Sequence, residues 1–273
     1  MSLERFRGRT LVVKYGGNAM IDSALKEGFA SDVVALCRNG IRVVVVHGGG
    51  PQISEMLGRL SMESSFAGGF RVTDAQTVSV VQMVLGGSVQ PEIVGLINQA
   101  GGTAVGLSGV DANLLQCERR DVLIEGIPTD IGLVGEVVSV NPRILQTLLD
   151  ASYIPVVSSF GNDQSGQVLN VNADTAAGAI AGALAAEVLV MLTDVPGLYA
   201  DWPESAQIIK ELSASTLREL LPSLTSGMVP KMEGCLKALE LGAKEALIID
   251  GRVKHGLLDA LESKNMHGTR VLP

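Results

Sequence analysis

The side chains best suited to chemistry are two lysines that each adjoin a glycine turn. Lys14 ends an apolar run and precedes Gly16 and Gly17, and Lys231 closes the segment Ser-Gly-Met-Val-Pro-Lys. Glycines let backbone N–H groups approach an anion closely, and an ammonium group beside them adds positive charge. Since phosphoryl transfer needs cations and amide donors around the transferring group, we predict that the two lysines clamp a phosphate. For the Lys14 turn alone, an ordinary strand-to-helix turn with a solvated lysine is the alternative.

A further glycine segment, His47-Gly48-Gly49-Gly50-Pro51, follows four consecutive valines. Three successive glycines indicate a close backbone approach or unusual dihedral angles, and a proline suits the first position of a helix. The free N–H groups of such a helix end favour an anion. The pattern therefore predicts an anion-binding turn, with a merely tight turn as the alternative.

Two charged residues have a functional and a structural interpretation. Asp174 lies in Asn-Ala-Asp-Thr ahead of an alanine-rich helix, where it is the N-cap of that helix, a carboxylate that serves the lysines, or both. Arg71 follows a polar, glycine-containing loop and is either a surface arginine or an anion-binding group. His47, His255 and His267 lack metal-ligand spacing and are predicted to be structural or surface residues.

These residues are distributed over alternating short apolar runs and helical patterns, which predict an α/β fold with a mostly parallel sheet. The predicted strands cover residues 11–13, 41–46, 103–108, 154–157, 188–192 and 246–249. Residues 115–140 contain short segments of alternating hydrophobicity separated by turn residues, which predicts a β-hairpin excursion. A long helix over 75–98 is expected to break or kink at Gly86-Gly87 and Pro91.

Composition narrows the function classes. The chain has 273 residues, 47% of them hydrophobic and 18% charged, which supports a sizeable core in one large domain or two lobes. A net charge of -8 without a Lys/Arg stripe disfavours nucleic acid as a partner. Three cysteines outside any CxxC pair disfavour a disulfide framework or a zinc site. No run reaches the ~20 apolar residues of a membrane span and no apolar signal segment is present, so we expect a cytoplasmic protein.

Two common nucleotide-binding motifs are absent from the sequence. It contains neither GxxxxGKS nor GxxxxGKT, and it contains no GxGxxG. A P-loop enzyme and a dinucleotide-binding Rossmann domain are therefore excluded, and the phosphate site must be of another kind.

Seven short motifs, in this order, resemble the amino acid kinase family, and within it the members that phosphorylate N-acetyl-L-glutamate. They are KYGGNAM (14–20), VVHGGGPQI (45–53), FRVTD (70–74), AVGLSGVD (104–111), NVNADTAAG (170–178), LTDVPGL (192–198) and GMVPK (227–231). The resemblance implies a three-layer αβα sandwich of the carbamate kinase-like type. It also implies an N-terminal lobe (1–173) for the amino acid substrate and dimerisation, and a C-terminal lobe (174–273) for ATP.

The resemblance assigns roles to individual residues. Lys14 and Lys231 would hold the transferring phosphoryl group, and Asp174 would orient both lysines. The residues implied for N-acetyl-L-glutamate are Gly48, Gly49, Arg71, Asn170 and Asn172. The residues implied for ATP with Mg²⁺ are Gly16, Gly17, Thr193, Asp194, Leu198, Met228 and Lys231, and no side chain is assigned to the metal. A γ-carboxylate with a pKa of about 4.3 is ionised at neutral pH, so no catalytic base is expected.

Some positions depart from the family pattern. Gln90-Pro91 replaces the usual Asn-Lys and should alter the long helix and the dimer contacts it supports; Ser226 and the segment Ser158-Ser159-Phe160 also differ. The arginine-inhibited members share a longer N-terminal helix and a C-terminal pattern that Ala260 and Met266 do not match. We therefore expect a homodimer that is insensitive to arginine, and the sequence does not indicate whether a PII-type regulator binds.

Two other functions remain open at this point. One is a sister kinase that acts on aminoadipate or glutamate held on an acidic carrier protein, which needs basic residues at the substrate entrance. Residues 61–70 contain none, although Arg119-Arg120 could lie nearby. The other is a nucleotide-binding regulator without turnover, which the joint presence of Lys14, Asp174 and Lys231 disfavours.

Overall fold

The protein is described by a computed structural model that covers residues 3–124, 126–200, 207–224, 227–262 and 267–273. Its helices are α1 (Ser23–Arg38), α2 (Gly50–Arg59), α3 (Ala75–Val84), α4 (Gln90–Gln99), α5 (Arg143–Asp150), α6 (Ala173–Ala183), α7 (Ala214–Leu220), α8 (Val229–Glu240) and α9 (Gly256–Glu262). Its strands are β1 (Thr10–Tyr15), β2 (Arg42–His47), β3 (Phe66–Ala67), β4 (Phe70–Arg71), β5 (Ala104–Ser108), β6 (Leu115–Arg119), β7 (Val122–Ile124), β8 (Ile127–Thr129), β9 (Val134–Val140), β10 (Ile154–Ser158), β11 (Phe160–Asn162), β12 (Val168–Val171), β13 (Val188–Thr193), β14 (Glu211–Ser213), β15 (Glu245–Asp250) and β16 (Thr269–Leu272).

A central sheet of eight strands runs in the order β14-β16-β15-β13-β1-β2-β10-β5. Its strands pair in parallel except for β15 with β16, which confirms the predicted, mostly parallel sheet. β1 pairs with β2 on one side and with β13 on the other, so the sheet continues across the predicted lobe boundary at 173/174. That boundary falls at the first residue of α6 and stays a prediction.

The alternation of side chains along the strands divides the core into two layers. Val13 and Val45 belong to one buried cluster with residues of α1, α3 and α4, whereas Val12 and Val44 belong to a second with α5, α6 and α8. Helices therefore cover both faces of the sheet, as a three-layer αβα sandwich requires. Because successive side chains point to opposite faces, Lys14 shares the α6 face with Val12.

The long helix does not break where a break or kink is predicted. It continues through Gly86-Gly87 and Pro91, with a π-helical turn over Leu85–Val89 in place of a break. Proline lacks an N–H and clashes with the carbonyl four residues earlier, and a wider turn relieves both problems. The helix Ala75–Gln99 is also long and apolar enough to cross a membrane by length and composition, although no continuous apolar run within it reaches ~20 residues. Core helices of soluble proteins pass the same test, and this one buries Val81 and Ile97 in the core.

The predicted excursion over 115–140 is present. β6 and β9 pair antiparallel and join β11 and β12 in a small closed barrel, and β7 and β8 form a hairpin between them. The barrel, the short edge strand β14 and its neighbour β16 are not predicted from the sequence. Apart from β9, with seven residues, these strands have three to five residues, which is too short for a periodic pattern to identify.

Candidate active site

The two lysines and the aspartate meet in the structure. The Nζ atom of Lys14 lies 2.9 Å from Oδ1 of Asp174, and the Nζ atom of Lys231 lies 3.2 Å from Oδ2 of the same carboxylate. Lys14 comes from the carboxyl end of β1, Asp174 from the first turn of α6 and Lys231 from the first turn of α8. One carboxylate therefore bridges two ammonium groups supplied by three elements.

The close packing of α6 against α8 makes this meeting possible. A Cβ atom on Gly178 would lie 2.2 Å from the carbonyl oxygen of Gly234, and one on Gly234 would lie 2.5 Å from that of Asp174. The two backbones are thus in contact, which no larger residue allows. This contact brings Lys231 beside a carboxylate that is 57 residues away in the chain.

Lys14, Asp174 and Lys231 form a trio in which the Asp174 side chain is almost completely shielded from solvent, at 6% exposed. Burial raises the pKa of the Asp174 carboxyl, but the charges of Lys14 and Lys231 outweigh burial and hold the pKa below its usual range. The aspartate is therefore ionised at neutral pH, and the trio carries one net positive charge. Such a site favours an anion even in a protein of net charge -8.

Asn172, and not Asp174, caps helix α6. The Asn172 backbone is extended, and its Oδ1 accepts hydrogen bonds from the N–H groups of Asp174 at 2.8 Å and Thr175 at 3.3 Å. The interpretation of Asp174 as an N-cap is therefore wrong. Because its neighbour satisfies the helix end, the Asp174 carboxylate is available to the lysines.

A cavity of about 270 Å³ opens beside the trio. Gly16, Gly17, Gly48 and Gly49 line it together with Lys14, as predicted for glycine turns that face an anion. A Cβ atom on Gly16 would lie 3.0 Å from the Lys14 Nζ atom, and one on Gly49 would lie 2.7 Å from Leu85 Cδ2. Glycine at these positions leaves room for the lysine and the adjacent helix.

Arg71 also lines this cavity and is buried. Its guanidinium donates to the hydroxyls of Ser64 and Ser54, the latter at 2.8 Å, and to the carbonyl oxygen of Gly50 at 3.1 Å. The guanidinium also covers the ring of Phe66 at 4.6 Å from the centroid. The alternative of a surface arginine is therefore wrong, since these partners hold a positive charge at the cavity wall.

The other residues predicted for the amino acid substrate also line the cavity. Asn170 lies in β12, and its Nδ2 donates to the Thr73 hydroxyl at 3.2 Å; Asn172 lines the wall while it caps α6. A largely apolar set of lining residues has no characteristic spacing in the sequence, and no role is predicted for it. Its members are Phe66, Phe70, Leu85, Val134 and Ser159.

The residues predicted to bind the nucleotide do not all line this cavity. The Thr193 hydroxyl donates to the carbonyl of Val195 at 2.8 Å and accepts from its N–H at 3.1 Å, which forms a tight turn after β13. This turn brings Asp194 to the first glycine turn, because a Cβ atom on Gly17 would lie 2.7 Å from Asp194 Oδ1. Leu198 is buried, and its N–H donates to the Thr269 hydroxyl at 2.8 Å.

Met228 directly precedes α8, and neither it nor Leu198 lines the cavity beside the trio. Their contact with a nucleotide stays a prediction. Within the part of the chain that the structure describes, no group of three or more His, Cys, Asp or Glu side chains could hold a metal ion.

Two of the departures from the family pattern, Ser226 and Met266, lie outside the described residues. Ala260 is buried in α9. The expected insensitivity to arginine therefore stays a prediction.

A parallel sheet between two helical layers, with two ammonium groups and glycine turns around one cavity, defines a phosphotransferase that binds phosphate without a P-loop. The sequence profile of the amino acid kinase family matches residues 9–250. The chain belongs to this family.

Three known proteins are similar to this chain in sequence or in structure. It is 56% identical over 271 residues to an acetylglutamate kinase from Saccharopolyspora erythraea, a match that covers 99% of this chain and 89% of the relative. Its structure resembles N-acetylglutamate synthase from Neisseria gonorrhoeae, complexed with coenzyme A and N-acetyl-glutamate, with a TM-score of 0.85 and 26% identity. That match covers 99% of this chain, which spans 61% of the synthase. A carbamate kinase from Giardia lamblia bound to AMP-PNP shares the fold, with a TM-score of 0.70, 15% identity and coverage of 97% and 98%.

Proposed function

We propose that the chain transfers the γ-phosphate of ATP to the γ-carboxylate of N-acetyl-L-glutamate, which gives N-acetylglutamyl 5-phosphate, in the second step of arginine biosynthesis. The observation that carries the proposal is one cavity that is lined by Lys14 and Asp174 of the lysine-bridged trio and also by Arg71, a separate positive charge. An acceptor with two carboxylates fits this division of charge. The identity of 56% to an acetylglutamate kinase supports the same substrate.

In this proposal Arg71 and Asn170 bind the α-carboxylate and the acetamido group, and the γ-carboxylate lies against the N–H groups of Gly48 and Gly49. An oxygen of the γ-carboxylate attacks the γ-phosphorus, and the bond from that phosphorus to the bridging β-oxygen breaks. The bonding electrons leave with ADP. The acceptor is already ionised, so no proton has to be removed.

Lys14 and Lys231 neutralise the equatorial oxygens of the transferring group, where charge collects in a loose transition state. Asp174 holds the two ammonium groups at fixed positions on either side of its carboxylate. Gly16, Gly17, Thr193 and Asp194 face the nucleotide, and a magnesium ion on the phosphates supplies further positive charge when it is bound.

The same proposal places the acceptor in the N-terminal lobe and ATP in the C-terminal lobe of a cytoplasmic homodimer. Arginine is not expected to inhibit the enzyme.

A carrier-bound acceptor is less well supported. Arg120, one of the two basic residues that could meet an acidic carrier, pairs with Glu233 at 3.4 Å and covers the ring of Phe70 at 4.5 Å. Its charge is thus engaged within the chain. This observation favours a free small-molecule acceptor.

The proposal is tested by trapping the acyl phosphate as a hydroxamate. N-acetyl-L-glutamate, free glutamate and N-acetyl-aminoadipate are compared with ATP as donor. Selective turnover of N-acetyl-L-glutamate is expected, and Lys231→Ala should lower kcat by at least roughly 10²-fold because it removes a cation from the transition state. Lys237→Ala, on the same helix but outside the site, is the matched control and should stay active. Turnover of none of the three acceptors would refute the proposed function.

A further inference from the structure

A buried chain of side chains, which the mechanism above does not use, ends at the glycine turn beside the cavity. Gln90 Nε2 lies 2.8 Å from Ser158 Oγ, and that oxygen lies 3.0 Å from His47 Nε2. The other ring nitrogen, Nδ1, lies 2.9 Å from the carbonyl oxygen of Gly48. His47 and Ser158 are both 0% exposed and are paired in register at the carboxyl ends of β2 and β10.

The partners determine which atom donates at each step. A carbonyl oxygen can only accept, so Nδ1 of His47 must carry the hydrogen that meets Gly48. Burial lowers the pKa of His47 to about 4, so the ring is neutral at pH 7 and Nε2 carries no hydrogen. Nε2 then accepts from the Ser158 hydroxyl, whose oxygen in turn accepts from Gln90.

Gln90 is itself held in one orientation. Its Nε2 also donates to the carbonyl oxygen of Leu107 at 2.6 Å, and a Cβ atom on Gly106 would lie 2.5 Å from its Oε1. Gln90 directly follows the π-helical turn, and Leu85 at the start of that turn lines the cavity. The chain of hydrogen bonds therefore links the long helix, two strands and the glycine turn.

The hydrogen bond between His47 and the Gly48 carbonyl determines the direction of one backbone N–H group. The carbonyl of Gly48 and the N–H of Gly49 belong to the same planar trans peptide and point in opposite directions. Because His47 holds the carbonyl, the Gly49 N–H is directed away from His47. Both glycines line the cavity, and neither has a side chain that could fix this peptide.

We propose that His47 is a positioning residue for phosphoryl transfer: with Ser158 and Gln90 it holds the Gly48–Gly49 peptide so that the Gly49 N–H donates to the acceptor carboxylate. Fixed donors of this kind stabilise a transition state because they need no reorientation during the reaction. The part that concerns the carboxylate rests on the proposed function. The hydrogen-bond direction at His47 does not.

The direction is tested first, by ¹⁵N NMR of protein labelled at histidine. The chain has three histidines, so the His47 signals are assigned by their loss in His47→Asn. We expect the neutral Nδ1–H tautomer throughout pH 6 to 8. An Nε2–H tautomer, or an imidazolium in this range, would overturn the inference whether or not the protein turns over substrate.

The consequence for catalysis is tested with two amide variants. The side-chain nitrogen of His47→Asn can reach the Nδ1 position and donate to Gly48, whereas that of His47→Gln reaches only the Nε2 position. We expect kcat to fall roughly 10²-fold in His47→Gln and less than about tenfold in His47→Asn, with the KM for ATP unchanged in both. His267→Asn, at an exposed histidine, is the matched control and should match the wild type.

A purely structural role predicts another pattern. If both variants lose kcat equally, in proportion to a common fall in Tm, His47 does not position the peptide and the inference is refuted. Absence of turnover in the wild-type protein, together with the Nδ1–H tautomer, would instead count against the proposed function and against the carboxylate as the recipient of the Gly49 N–H.

Discussion

Asp174→Asn is the most informative perturbation of the site, because it removes one charge and almost no volume. In the wild type the carboxylate lies 2.9 Å from one ammonium group and 3.2 Å from the other. At an effective dielectric constant of ~20, each contact corresponds to an attraction of about 5 to 6 kcal/mol. Desolvation offsets much of this attraction, and breaking a buried pair costs about 3 to 5 kcal/mol in practice.

We therefore expect the free energy of unfolding of Asp174→Asn to fall by about 3 kcal/mol without nucleotide, as measured by urea denaturation. Part of the loss should be regained with ADP, because the two uncompensated lysines bind its phosphates. The kcat should fall roughly 10²- to 10³-fold, since the ammonium groups lose their fixed positions, while the KM for ATP should not rise.

The pH dependence gives an independent check. The pKa of Asp174 is depressed in the folded protein, so its contribution to stability is present above the ordinary aspartate pKa of about 3.9 and is lost as pH falls below it. The difference in stability between wild type and Asp174→Asn should shrink below about pH 4. A variant with wild-type stability and a kcat within threefold of the wild type would refute the role given to this carboxylate.

Three further outcomes are expected. Arg71→Lys should raise the KM for the acceptor at least roughly tenfold, with a small change in the KM for ATP, because an ammonium group cannot reproduce the planar fork of donors; steady-state kinetics with each substrate varied checks this. Gly178→Ala should lower the free energy of unfolding by about 1 to 3 kcal/mol, because its Cβ would lie 2.2 Å from the Gly234 carbonyl oxygen. Gly58→Ala, whose Cβ would meet nothing within 4 Å, should be neutral or slightly stabilising; a similar loss in both variants would contradict close helix contact as the cause. Burial lowers the pKa of His47 to about 4, so between pH 6.5 and 4 the unfolded chain binds a proton that the folded protein does not. The free energy of unfolding should therefore fall by about 3 kcal/mol from pH 6.5 to 4. The same measurement on His47→Asn should isolate this loss.

Several features of the site were accessible from local sequence. The valines before His47 and the apolar run before Lys14 predict buried parallel strands, and those strands place both residues at the same edge of the sheet. The glycines after them predict turns that approach a ligand closely, and all of Gly16, Gly17, Gly48 and Gly49 line the cavity. Local signals suffice here because strand, turn and helix start are each decided within a few residues.

Other features could not be read from local sequence. Asn172 and Asp174 both carry side chains that can cap a helix, and only the extended backbone at Asn172 decides between them. The glycines and the proline of the long helix predict an interruption, but the packing of that helix against the core retains it with a π-helical turn. In both cases the residue types allow two outcomes of similar local energy.

The sequence by itself determined the chemical inventory: two lysines, one aspartate and one arginine beside glycine turns, on an α/β chain with a mostly parallel sheet. Only the tertiary structure decided that Lys14, Asp174 and Lys231 form one bridged trio, that Arg71 is buried in the wall of the same cavity, and that Ser158 reaches His47. The physical reason is that these contacts join residues far apart in the chain. They depend on how closely α6 and α8 approach and on the register of β2 against β10, which no local pattern encodes.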